Sequence, residues 1–151
     1  MHGLFATRPL MVDPVVQAAR IAAVRDAVAR IREVLPRTAG AIAADRTARE
    51  VVVLNLFVAI QECLSLAAHW LADAGRVVPA SYADVFRALA DVHVIDHDLA
   101  TRLIRAAGFR NLIAHQYGAV DAARLHAIAS TDVADLLEFC RALARQDQSG
   151  S

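Results

Sequence analysis

The sequence VVVLNLFVAI, from Val51 to Ile60, contains a single polar residue, Asn55. It belongs to a longer helical pattern that runs from about Thr47 to Ala74 and stops before Gly75. A helix that is apolar nearly all round has no side suited to water over those turns. We therefore expect this helix to lie at the centre of a bundle, packed by its own chain on one side and open to a partner chain on the other.

A helix-start signal precedes this central segment. Asp13 followed by Pro14 combines an N-cap residue with a proline suited to the first turn of a helix. The pattern predicts a helix that stops at Pro36 and has an apolar side reaching from Val15 to Leu35.

Further helix starts follow the central segment. Ser81 begins a short helix in a capping-box-like sequence, and Asp96 or Asp98 caps the next helix. Asp121 and Thr131 are candidate starts of the closing helical segments. Because no alternating strand pattern of useful length is present, the fold class predicted is all-α, an up-down helical bundle.

The length of 151 residues is most simply one domain. We predict an N-terminal tail at residues 1–12, a helical domain at 13–145 and a disordered C-terminal tail at 146–151.

The charge and the hydrophobic composition of the chain indicate which kinds of molecule it can bind. The formal net charge is zero, so no global basic field favours non-specific binding to nucleic acid, and any RNA contact must come from a local patch. All 16 basic residues are Arg, which suits phosphate recognition better than Lys. Hydrophobic residues make up 57% of a small chain, which favours a homodimer that buries an apolar face against a second copy.

Cysteine usage and the apolar runs indicate a cytoplasmic protein. Cys63 and Cys140 lie in apolar helical sequence and are expected to be buried thiols, although a disulfide is possible. The N-terminal sequence lacks the pattern of a signal peptide, and the run from Val51 to Ile60 is too short to span a bilayer. We therefore expect no membrane partner.

Four polar residues with complementary chemistry lie close together in the stretch from Gly108 to Tyr117: Arg110, Asn111, His115 and Tyr117. Arg is a permanent cation shaped for phosphate, and His moves protons near neutral pH. Arg110 can stabilise charge on a phosphate while His115 transfers a proton, with Asn111 and Tyr117 as substrate-binding or orienting residues. Such a site breaks a phosphodiester without a metal or cofactor.

The helical spacing sets which of these side chains share a face. Asn111 and His115 are four residues apart and share one face, whereas Arg110 and His115 are five apart and do not. Arg110 and His115 converge only because Arg is long or because the helix loosens near a glycine. The alternative is structural, in which Arg110 caps carbonyls while His115 and Tyr117 pack at the helix end.

The spacing R-x4-H-x-Y at Arg110, His115 and Tyr117 resembles the signature of the HEPN superfamily, and the Arg-Asn and His-x-Tyr ends resemble its HepT-like toxin branch. The order of Ser81–Phe86 and Ala106–Asn111 is also similar to that of HepT-like proteins. The resemblance implies a HEPN-like helical dimer and a metal-independent endoribonuclease toxin of a type VII-like toxin–antitoxin pair. It also implies an MNT-type minimal nucleotidyltransferase antitoxin as partner, which neutralises the toxin by adenylylation of Tyr117.

Two other readings remain open. His93 and His97, four residues apart among three Asp, suggest a metal site, but Asp and His also occur at helix boundaries and no further ligand is evident for zinc. We expect no metal. The alternative function is a non-catalytic helical dimer that binds a nucleotidyltransferase partner or a nucleotide.

Overall fold

Every regular element is helical in the part of the chain that the computed structural model describes, residues 13–116, 118 and 120–149. A π-helical turn at Ile128–Asp132 joins the last two helices. The all-α helical bundle predicted from the sequence is confirmed. Its helices are α1 (Pro14–Val34), α2 (Ala39–Ala44), α3 (Arg46–Asp73), α4 (Tyr82–Asp91), α5 (His97–Gln116), α6 (Ala122–Ala127) and α7 (Val133–Ser149).

Side-chain caps define most of the helix starts. Asp13, Ser81 and Asp121 accept hydrogen bonds from the first-turn backbone N–H groups of α1, α4 and α6, as predicted. Of the two candidates for α5, Asp96 is the cap, because its Oδ1 accepts from the Leu99 backbone N–H at 2.7 Å.

Three features differ from the sequence-based expectations or extend them. Thr131 does not begin a helix, since it lies inside the π-helical turn. The short helix α2, capped by Thr38, was not predicted because six residues show no useful period. Helix α7 continues to Ser149, past the predicted domain end at residue 145, and the division into tail, domain and tail stays a prediction.

Helix α3 is the centre of the bundle, as predicted, and packs against α1, α4, α5 and α7. It is long enough to cross a membrane, and an 18-residue window within it has a mean hydropathy of 2.0, but 44% of that window is buried inside the bundle. Glu62, midway along it, pairs with Arg20 of α1 at 3.1 Å. These are the properties of a core helix.

The opposite side of α3 is open in the single chain. Leu54 is 62% exposed, and Val51, Phe57 and Val58 are only partly buried. A side chain the size of Leu contributes about 1.5–3 kcal/mol when it is fully buried rather than exposed. The folded monomer therefore leaves unused apolar surface on the same turns that seemed to lack a water-facing side in the sequence.

The apolar side of α1 was predicted only in part. Ile21, Val24, Val28 and Ile31 are buried against the core, whereas Val15 is 77% exposed. Helical periodicity identifies a face but not where the neighbouring helix stops covering it.

The two cysteines meet in the core. Cys63 of α3 and Cys140 of α7 are both buried and free, which confirms the prediction of buried thiols. A hydrogen bond between their side chains, together with burial, raises the pKa of Cys63, while the same bond lowers the pKa of Cys140. The pair fixes α7 against α3 without a disulfide.

Candidate active site

The polar motif lies on the last turns of α5, where the helix leaves the core. Ala106, Ala107 and Phe109 are buried, and Phe109 is fully covered. Because successive helical residues are rotated by about 100°, the positions after Phe109 turn toward the edge of the bundle. Arg110 and Asn111 are half-buried there.

Arg110 reaches from α5 to α3. Its Nε donates a hydrogen bond to Oε1 of Gln61 at 2.9 Å, and its Nη1 donates to Oδ1 of Asn111 at 3.0 Å. Its Cζ lies 5.5 Å from the centroid of the Phe57 ring, within cation–π range. The Nη2 end takes part in neither of these hydrogen bonds. The structural alternative, in which Arg110 caps carbonyls, does not match these contacts.

Asn111 and His115 occupy one face of α5, four residues apart. The described hydrogen bond of the Asn111 side chain is with Arg110, so Asn111 orients the arginine. His115 is exposed in the last turn of α5. Helix α5 continues without a break from Arg110 to His115, so the two side chains leave it in different directions, and an RNA phosphate held by Arg110 would have to extend toward the imidazole for proton transfer.

Tyr117 lies outside the described residues. Val120, three residues further on, is held to α3, because Arg49 Nη2 donates to its backbone oxygen at 2.7 Å. Val120 itself is buried. One turn further on, the Arg124 guanidinium lies over the Phe109 ring, with Cζ 5.6 Å from its centroid.

Gln61, Phe57 and Arg49 were missed by the sequence analysis. Gln61 is separated from Arg110 by 49 positions, and only the tertiary packing of α3 against α5 brings the two together. The one available signal was that Gln61 directly follows the apolar run of α3, where a polar side chain needs a partner.

The histidine and aspartate cluster between α4 and α5 does not assemble a metal site. His97 Nε2 lies 4.0 Å from Asp91 Oδ1, and both side chains are about 70% exposed. His93 has a positive φ of 64° in the turn that follows α4. Within residues 13–116, 118 and 120–149, no three His, Cys, Asp or Glu side chains come close enough to hold a metal ion.

The helical bundle, with Arg110, Asn111 and His115 on one helix, agrees with the resemblance found in the sequence. The chain belongs to the Ribonuclease HepT-like family, whose model matches residues 24–143.

Solved structures share the fold. A tri-AMPylated Shewanella oneidensis HEPN toxin in complex with MNT antitoxin is 24% identical, with a TM-score of 0.81, covering 89% of this chain and 99% of that one. A toxin–antitoxin complex with AMP-PNP is 22% identical, with a TM-score of 0.80, covering 86% and 98%. The cytosolic protein YutE of Bacillus subtilis, of unknown function, is 15% identical, with a TM-score of 0.78, covering 92% and 93%. No curated protein matches the chain.

Proposed function

We propose that this protein is a metal-independent endoribonuclease, the toxin of a type VII-like HEPN/MNT toxin–antitoxin pair. The observation that carries the proposal is the held guanidinium of Arg110 together with the exposed His115 in the last turn of the same helix. Membership of the Ribonuclease HepT-like family supports the reaction class. The structurally similar toxins in complex with antitoxins support the biological setting.

The reaction is the internal transfer of a phosphodiester. The 2′-oxygen of RNA attacks the adjacent phosphorus as His115 takes the 2′-hydroxyl proton, and the bond to the 5′-oxygen breaks as that oxygen receives a proton. The products are a 2′,3′-cyclic phosphate and a 5′-hydroxyl. Arg110 stabilises the negative charge that grows on the phosphate oxygens. These steps use side chains alone, without a metal or cofactor.

A second copy of the chain completes the site. One histidine is not both base and acid in the same step, whereas two copies of His115 at a two-fold axis divide the roles. The exposed side of α3 supports this arrangement, because the exposed Leu54 lies one turn before Phe57, whose ring contacts the Arg110 guanidinium. The protein is thus a homodimer in which Leu54 and its neighbours meet the second copy.

The antitoxin partner is a minimal nucleotidyltransferase that attaches AMP to Tyr117. The added phosphate anion pairs with Arg110 and the nucleotide fills the cleft, so RNA is excluded without unfolding of the toxin. The AMPylated state of the Shewanella oneidensis toxin supports this mode of control. Val120, three residues after Tyr117, is held to α3 by a hydrogen bond from Arg49. The pair acts in the cytoplasm.

Removal of the imidazole tests the proposal. We expect His115→Ala to lose at least about 100-fold of the RNA cleavage rate in the presence of EDTA, because general acid–base catalysis contributes roughly 10²–10⁴-fold. Its fold, measured by circular dichroism and melting temperature, should be unchanged because His115 is exposed.

His97→Ala is the matched control, since it removes an exposed histidine from the first residue of the same helix. It should cleave RNA like the wild type. Full activity of a folded His115→Ala protein would refute the catalytic role and leave the non-catalytic binding module as the function.

A further inference from the structure

Eight of the fifteen arginines in the described part of the chain have a carboxylate oxygen within 4.0 Å. Arg110 is one of the seven that do not, and both of its described side-chain hydrogen bonds go to amide oxygens, which carry no net charge. Within the described part of the chain, no carboxylate oxygen lies within 4.0 Å of it. The eight arginines that do pair with Asp or Glu at up to 4.0 Å are Arg20, Arg30, Arg46, Arg87, Arg102, Arg105, Arg141 and Arg145.

The neutral contacts of Arg110 nevertheless hold it firmly. Gln61 Oε1 accepts from Nε at 2.9 Å, Asn111 Oδ1 accepts from Nη1 at 3.0 Å, and the Phe57 ring lies under Cζ at 5.5 Å. Phe57 and Gln61 are four residues apart on α3, so they form one continuous wall beside the guanidinium. Two hydrogen bonds and one ring fix the guanidinium plane from three directions.

The choice of an amide has an electrostatic consequence. A carboxylate at the place of Gln61 Oε1 would hold Nε with the same geometry, but it would form an ion pair with the guanidinium and offset its attraction for phosphate. An amide accepts the hydrogen bond and leaves the positive charge available to an anionic ligand.

We propose that Gln61 is a positioning residue of the active site, which acts with Asn111 to orient Arg110 for the scissile phosphate without neutralising it. This inference rests on the proposed ribonuclease function. Gln61 acts through Arg110 and does not itself touch the RNA. Phe57 supports the same side chain from below.

Two substitutions separate orientation from charge. Gln61→Glu keeps the size and the acceptor but adds a negative charge, so we expect a folded protein whose RNA KM rises and whose kcat/KM falls by about 10- to 100-fold. Gln61→Met keeps the length and removes the acceptor. It should lower kcat by about 3- to 10-fold with little change in KM, because the charge remains and only its orientation is lost.

Ala72→Glu is the control for the added charge. Ala72 is exposed on α3, and at about 1.5 Å per residue it lies roughly 16 Å along the helix from Gln61. Its cleavage rate should equal that of the wild type. In an Arg110→Lys background, which lacks the guanidinium Nε, Gln61→Met should add no further loss, and a full additive loss would mean that Gln61 does not act through Arg110.

Binding measured separately from cleavage distinguishes a failure of this inference from a failure of the proposed function. The probe is a fluorescent single-stranded RNA with 2′-O-methyl riboses, which has no 2′-hydroxyl to react. Gln61→Glu should weaken its binding by about 10-fold, whereas Gln61→Met and Ala72→Glu should not.

Each outcome has a distinct meaning. If the wild type cleaves RNA and Gln61→Glu both binds and cleaves like it, the inference is wrong and the ribonuclease stands. If the wild type binds the probe without cleaving RNA, the proposed function is wrong, and the binding of Gln61→Glu alone decides the role of Gln61. If the wild type neither binds nor cleaves RNA, both are overturned.

Discussion

The two halves of α5 use arginine in opposite ways. In the first half, Arg102 Nε pairs with Asp135 of α7 at 3.0 Å, and Arg105 lies 3.9 Å from Asp132 of the π-helical turn. The hydrogen bond to Asp135 raises the pKa of Arg102 above its ordinary value. In the second half, Arg110 is held by amides and a ring. The same residue type therefore joins helices where a carboxylate faces it and remains available for a ligand where neutral groups hold it.

The largest effect expected from this contrast is on catalysis. Arg110→Ala should lower RNA cleavage by about 10²- to 10³-fold, the range found when one charge-stabilising donor is removed from an active site. Its melting temperature should stay close to that of the wild type, because Arg110 has no carboxylate partner to strand within the described chain.

Arg102→Ala is the comparison variant from the first half of the helix. It should cleave RNA at the wild-type rate but melt at a slightly lower temperature, because its hydrogen bond to Asp135 is lost. If Arg102→Ala and Arg110→Ala lost activity equally, the distinction between the two halves would be unfounded.

A smaller effect, on thermal stability, is expected from the two carboxylates that face the first half of α5. Desolvation by burial raises the pKa of Asp132, and Arg105 only partly opposes this. Asp132 therefore binds a proton more tightly in the folded chain than in the unfolded chain. Because of this, the free energy of unfolding falls as pH rises from the unfolded pKa of Asp132, about 3.9, through its folded pKa. At pH 7 Asp132→Asn removes this cost, and its melting temperature should equal that of the wild type or exceed it by up to about 2 °C.

Asp135→Asn should change the melting temperature in the opposite direction. Asp135 accepts a close hydrogen bond from Arg102 at 3.0 Å, and replacing the carboxylate with an amide keeps the acceptor but removes its charge, which should lower the melting temperature at pH 7. Scans at pH 7 and pH 3 distinguish the two variants, because any advantage of Asp132→Asn should vanish at the lower pH. A marked destabilisation by Asp132→Asn at pH 7 would contradict the claim that burial of the charged Asp132 carboxylate costs stability.

The sequence was informative where structure is local. The caps at Asp13, Ser81 and Asp121 act within a single helical turn, so their effect could be read directly from neighbouring residues. The central position of α3 followed from its composition alone.

What could not be predicted depends on tertiary contacts. The partner of Arg110 on α3, Gln61, is remote in sequence, and no period identifies it. The π-helical turn leaves no simple spacing signal, which is why Thr131 was mistaken for a helix start. The polar motif gave the residue types of the site, whereas packing of α5 on α3 supplied its geometry.

The chemistry of the cleaved ends tests the central proposal most directly. The measurement is mass spectrometry of the products that the wild-type protein forms in EDTA from an RNA oligonucleotide, and from the same oligonucleotide with a single 2′-deoxy residue at the cleaved position. We expect a 2′,3′-cyclic phosphate and a 5′-hydroxyl from the first, and no cut at the deoxy position in the second, because Arg110 and His115 only assist attack by the RNA's own 2′-oxygen. Cleavage at the deoxy position, 5′-phosphate products or complete loss of activity in EDTA would contradict a metal-independent ribonuclease that uses these two residues.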